Sequence, residues 1–133
     1  MLKISKKTEL GLLLLTDLAK AEEGTVVGLK EWAKKRKLPY RFLSKVAVDL
    51  KKTGFLRSKE GRDGGYCLAK KAEKIGIKDV VKVLEGSMAP VKCLQGEICG
   101  AESFCCQKNL MKKLTIVVER QLEKVNLRDL IRN

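Results

Sequence analysis

The stretch that decides the fold is Leu29 to Gly54, LKEWAKKRKLPYRFLSKVAVDLKKTG. Leu29, Trp32 and Ala33 recur at helical spacing and predict a short helix that ends in the basic run Lys34-Lys35-Arg36-Lys37. A turn of three or four residues follows. Pro39 then stands where a first helical turn tolerates proline, because the missing N–H would have no partner there. Phe42, Leu43, Val46 and Leu50 are expected on one buried face, and Gly54 supplies the stop. Two short helices joined by a tight turn, the second basic on its outer side, describe a helix-turn-helix.

Downstream the period changes from helical to alternating. Phe55-Leu56-Arg57-Ser58 and Tyr66-Cys67-Leu68-Ala69 predict two short strands. Between them Lys59-Glu60-Gly61-Arg62-Asp63-Gly64-Gly65 is a glycine-rich loop that needs unusual backbone angles. A Gly-rich hairpin alone is weak evidence, but after such a helix pair it predicts a basic-tipped wing.

Upstream, Leu10, Leu13, Leu14, Asp17 and Leu18 predict a first helix over residues 6–21, ended by Gly24. Its apolar run imitates a signal peptide, but it contains Glu9 and Asp17 and lacks a small-residue cleavage site, so it is expected to be a core helix of a cytoplasmic protein. Ile77, Val80, Val81 and Leu84 predict a further helix closed by Gly86. Met111, Leu114, Val118, Leu122 and Val125, widened by Leu110, Val117 and Leu127, form a coiled-coil-like stripe near the end. That stripe is wider than one subunit's surface needs and predicts a dimerisation helix. The fold class expected is mainly α with a small β-hairpin, one compact domain overall. Residues 1–88 form the winged helix-turn-helix region, 89–107 a cysteine-bearing loop and 108–133 the dimerisation helix.

The net charge is +13, and its placement says more than its size. Residues 30–62 carry 12 Lys and Arg against 3 Asp and Glu. A field concentrated in this way suits a nucleic-acid binder, since each cation near a phosphate releases condensed counterions; a merely solvated lysine-rich surface is the alternative. In a helix-turn-helix the second helix enters the major groove. This places Tyr40, Arg41, Ser44 and Lys45 toward base edges and Lys51 and Lys52 toward phosphate. Arg41 has the geometry for bidentate pairing with guanine, and Ser44 suits either base type. Arg62 at the wing tip is placed for the adjacent minor groove.

The chain has no histidine, which excludes Ser-His-Asp and Cys-His catalysis and zinc sites built on imidazole. With no paired carboxylates at a motif and no phosphate-binding loop, an enzyme is not expected. Five cysteines remain, four of them in CLQGEICGAESFCC over residues 93–106. An odd number argues against a disulfide framework. The C-x5-C-x5-C spacing lacks the close pairs of zinc fingers and suits an iron–sulfur cluster wrapped by a longer loop, with zinc or redox thiols as alternatives. Cys67, on a strand, is expected to be a small buried hydrophobe.

These motifs together resemble the IscR/NsrR/CymR family of winged-helix transcription regulators. The residues that carry the resemblance are Leu29–Ala33, Pro39–Lys45, Leu50–Gly54, Gly61–Tyr66, Leu84–Gly86 and the three-cysteine spacing. The resemblance implies a homodimer on a palindromic double-stranded operator, usually acting as a repressor. Cluster-bearing members sense iron–sulfur status, nitric oxide or redox state. It also implies Cys93, Cys99 and Cys105 as ligands of a 2Fe–2S or 4Fe–4S cluster. The fourth ligand is open. Lys108 stands where some members have histidine and cannot ligate while protonated. Glu9 stands where nitric-oxide sensors take a carboxylate from the partner's first helix. Cys106 is the local rival, and an exogenous or missing ligand is the remaining case. A cluster-free regulator governed by a partner protein or thiol oxidation is the second reading, and a small electron carrier a remote third.

Overall fold

The computed structural model describes residues 3–86, 88, 94 and 105–132. Helix α1 spans Lys6–Lys20, and the Ser5 hydroxyl caps it by accepting the Thr8 N–H at 3.3 Å. Leu10, Leu14, Leu15 and Leu18 form its buried stripe. The helix stops at the Ala21 cap, so Gly24, with φ +82°, shapes the next turn and does not end the helix as expected.

Helices α2 (Leu29–Arg36) and α3 (Tyr40–Lys52) form the expected pair. Lys37 makes the turn in the left-handed region at φ 55°, and the Leu38 N–H reaches back to the Ala33 carbonyl at 2.9 Å. Pro39 caps α3 from just outside instead of lying in its first turn. The buried face of α3 is Leu43, Val46, Ala47 and Leu50. Phe42 was expected in that face and is not there: it is 36% exposed. The i, i+3, i+4, i+7 stripe is already complete with those four residues, and position 42 is rotated out of it.

Strands β1 (Leu56–Lys59) and β2 (Gly65–Leu68) pair antiparallel, with Leu56 opposite Leu68 and Lys59 opposite Gly65. Each is displaced by one residue from the expected range. Helix α4 spans Ile77–Glu85 and ends at Gly86, φ +81°. Gly11 lets α1 cross α3 and α4 closely, since a Cβ there would lie 2.4 Å from Leu84 Cδ1 and 3.3 Å from Val46 Cγ1.

The C-terminal segment differs from the single helix expected over 108–133. It is two helices, α5 (Lys108–Glu123) and α6 (Leu127–Arg132). At the break the chain forms a bridge with the start of α4: Ile77 N–H donates to the Val125 carbonyl at 3.0 Å and Leu127 N–H to Ile75 at 2.8 Å. Leu127 is fully buried in the domain's own core, whereas Leu110, Leu114 and Val117 on α5 are 54%, 45% and 54% exposed. Among the described residues, no helix is long and apolar enough to cross a membrane.

Candidate nucleic-acid interface

The outer face of α3 follows from its inner one. With Leu43, Val46, Ala47 and Leu50 inward, Tyr40, Arg41, Lys45, Lys51 and Lys52 are exposed. Ser44 is only half-buried at the edge, and its hydroxyl donates to the Arg41 carbonyl at 2.8 Å. The one acid on α3, Asp49, is paired with Lys7 of α1 at 2.6 Å. That pair links α3 to α1 and offsets the only negative charge on the helix.

The hairpin is held by backbone. Val27, just before α2, and Tyr66 of β2 exchange two hydrogen bonds, at 2.8 and 2.9 Å. This close approach explains Gly65: a Cβ there would sit 2.1 Å from the Val27 carbonyl oxygen. Gly64 is likewise required, since its Cβ would lie 2.2 Å from the Lys59 carbonyl oxygen. The hairpin is therefore tied to the entrance of α2, with Arg62 exposed in its loop. The bridge to Val27 had no signal in a strand-period reading, because it involves a single residue outside either strand.

Helix α2 is oriented from beneath. Asp17 of α1 accepts the Trp32 indole N–H at 2.7 Å and the Arg36 guanidinium at 2.5 Å on one carboxylate oxygen. Sequence reading placed Asp17 on the helical stripe without a role; an acid amid leucines, with a downstream Trp to satisfy, was the available signal.

Of the proposed cluster ligands, Cys93 and Cys99 lie outside the described residues. Cys105 is half-buried, Cys106 exposed, and Cys67 buried on β2 as expected. Glu9 is exposed in the first turn of α1, 3.5 Å from Lys6. Among the described residues, no three Cys, His, Asp or Glu side chains gather into a metal site. Thiols are the donors that an iron–sulfur cluster takes, and the sequence carries four of them within residues 93–106.

One further residue emerges beside Glu9. Glu85, the last residue of α4, accepts the Ser5 backbone N–H at 2.6 Å. Burial works against its charge, but hydrogen bonds from Thr8 and from the Ser5 backbone and hydroxyl outweigh that and hold its carboxyl below the usual range. An acid in the last turn of a helix opposes the dipole, and that misfit was the sequence signal for a partner.

On the tail, the Lys78 ammonium of α4 pairs with Glu123 and lies 3.9 Å from Glu119, both on α5. The Glu123 hydrogen bond raises the Lys78 pKa, opposed in part by desolvation, and lowers that of Glu123.

Residues 4–133 match the family model described as Rrf2, an iron-dependent transcriptional regulator. The chain is 31% identical to the HTH-type transcriptional regulator NsrR of Halalkalibacterium halodurans, over 99% of this chain and 92% of that one. Its fold superposes on the structure of CymR, the global cysteine regulator of Bacillus subtilis, with a TM-score of 0.79 at 30% identity, covering 99% and 98% of the two chains. It also superposes on IscR of T. potens with a TM-score of 0.77 at 29% identity, covering 98% and 87%. The mainly helical fold, the winged helix-turn-helix and these full-length similarities agree, and the chain belongs to the Rrf2 family of transcription regulators.

Proposed function

We propose that this chain is a dimeric, sequence-specific DNA-binding regulator, a repressor, with α3 in the major groove and the hairpin in the adjacent minor groove of a palindromic operator. The observation that carries the reading is the exposed cationic face of α3 beside a hairpin whose loop exposes Arg62. Tyr40, Arg41, Ser44 and Lys45 are assigned to base edges, Lys51 to phosphate and Arg62 to the minor groove. The exposed Leu110, Leu114 and Val117 of α5 are the surface on which a second copy packs.

The sensing element in this reading is an iron–sulfur cluster of 2Fe–2S or 4Fe–4S type held by Cys93, Cys99 and Cys105, with Glu9 of the partner's α1 as fourth ligand and Cys106 as its rival. The cluster, when bound, supplies a redox- and nitric-oxide-sensitive centre. The protein's part is to supply thiolates from one segment and a carboxylate from a helix that also bears on α3 through Lys7 and Asp49.

Binding to duplex fragments from the protein's own promoter, measured from low to high salt, tests the DNA reading. Expected is a steep fall in affinity, with a slope of about −0.9 per phosphate contact; salt-independent or absent binding overturns it. Anaerobic purification with absorbance spectra and iron and sulfide counts tests the cluster. Colourless, iron-free protein favours the second reading, a cluster-free regulator governed by a partner protein or thiol oxidation. The exposed Cys106 supports that second reading.

A further inference from the structure

We infer that Phe42 and Val48 form an apolar contact for thymine methyl groups, so that the helix selects thymine by shape as well as through its cations. The inference rests on the DNA reading above and adds a determinant to it. Arg41, Lys45, Val48 and Lys52 recur at spacings of four, three and four, and all four are exposed. Val48, 39% exposed, thus lies on the outermost stripe of α3, among cations. Phe42, 36% exposed, stands on the other side of Lys45. Together with Lys7, Lys45 and Asp49 the two side chains line an open hollow of about 420 Å3.

Charge decides what fills that hollow. The carboxylate on its rim, Asp49, is paired with Lys7, and the other charged residues of α3 are Arg41, Lys45, Lys51 and Lys52. An apolar spot in so cationic a setting suits a ligand that is anionic around its edge and carries a small apolar group inside. The major groove at a thymine has that character: phosphates line its rim, and the C5 methyl projects into it. Neither side chain can accept or donate a hydrogen bond, so what the pair reads is the methyl.

The test uses a duplex that the protein itself enriches from a random pool, with each thymine replaced in turn by deoxyuridine, which lacks only the methyl. Wild-type protein is expected to lose about fourfold in affinity at one or two thymines per half-site, the value of one buried methyl. Phe42→Ala or Val48→Ala should bind the thymine duplex more weakly and no longer distinguish it from the deoxyuridine duplex at those positions. Phe42→Leu should retain part of the discrimination, and thermal melting checks that each variant is folded. Selective binding by the wild type without any deoxyuridine effect, or with effects unchanged in the variants, overturns the inference while the DNA reading stands. A lower oligomeric state in the variants, with equal losses on both duplexes, also overturns it and assigns the pair to contact between copies. No duplex binding by the wild type overturns both readings.

Discussion

The Ser5 backbone N–H donates to the Glu85 side chain at 2.6 Å, joining the end of α4 to the start of α1 across 80 residues of sequence. The chain leaves α4 at that point toward the cysteine-bearing segment, and the first turn of α1 carries Glu9. The entrance to the proposed sensing segment is therefore held to the subunit's own α1, whose Glu9 is proposed to serve the partner's cluster. Because α1 also meets α3 through Lys7 and Asp49, the same helix bears on the surface proposed to read DNA.

Glu85→Gln should cost about 1 kcal/mol of stability at neutral pH, since a charge-assisted bond becomes a neutral one. The pH dependence has a definite sign. A carboxyl held below its usual pKa in the folded protein stabilises the fold above the unfolded value, near 4.3, and that contribution is lost as pH falls through the lowered folded value. Urea unfolding of wild type and variant should therefore differ at pH 6 and converge in acid. A difference that persists undiminished below the carboxylate range would contradict this account.

Asp17 serves two donors with one oxygen, Trp32 at 2.7 Å and Arg36 at 2.5 Å, and the Trp32 side is the more costly to lose. Trp32 is buried, so Asp17→Ala leaves its indole N–H without that partner and should destabilise by about 1–3 kcal/mol. Arg36→Ala removes only a partly exposed ion pair and should cost below about 1 kcal/mol. Denaturation midpoints of the two variants give the order directly; an equal cost for both would mean that the indole bond does not orient α2.

Leu127 and Leu114 belong to one apolar stripe in the sequence, and the structure separates them. Leu127→Ala should cost about 2–5 kcal/mol, because it empties a fully buried site in the subunit's own core. Leu114→Ala should leave the fold of a single subunit almost unchanged and weaken dimerisation about tenfold. Sedimentation across a concentration series, alongside melting curves, distinguishes the two effects. If Leu114→Ala melts the fold and leaves the dimer intact, α5 is packed on its own domain.

How much of this was legible beforehand depends on the range of the contact that decides each feature. Helix spacing and the stop at Gly54 suffice for α2 and α3, since Leu43, Val46 and Leu50 declare their face locally. Phe42 is apolar like its neighbours, but its position on the helical wheel lies outside the stripe of Leu43, Val46, Ala47 and Leu50. The break between α5 and α6 had a local sign: Asn126 and Asp129 form a reciprocal cap, each side chain accepting the other's backbone N–H, at 2.9 and 3.0 Å. What made the break necessary was not local, since the bridge to Ile75 and Ile77 forms only once the chain is folded. The tie between Val27 and Tyr66 is of the same kind, and only the glycine at position 65 hinted at it.

Glu9 and Cys106 compete for one role, and iron retention separates them. If Glu9 is the fourth ligand, Glu9→Ala should lower iron and sulfide content and speed cluster loss in air, while Cys106→Ser behaves as wild type. Mixing Glu9→Ala with a Cys93→Ser variant should restore one intact site per heterodimer when the ligand comes from the partner. Exposed on α1, Glu9 can be truncated without disturbing the core, so a fall in thermal stability of the cluster-free protein would point to a different role.

Arg62 and Lys20 are both exposed cations, and only the fold distinguishes them. Arg62 lies in the loop of a hairpin anchored beside α2 by Val27 and Tyr66, whereas Lys20 is at the far end of α1 from Lys7, the residue that contacts α3. Arg62→Ala should weaken specific binding by about 1–3 kcal/mol and flatten the salt dependence by about one phosphate contact. Lys20→Ala should change neither affinity nor salt slope. Net charge falls by one in both variants, so a purely long-range field would penalise them alike. Titrations on the same duplex at two salt concentrations therefore decide whether the hairpin touches DNA or merely shares a basic surface with the part that does.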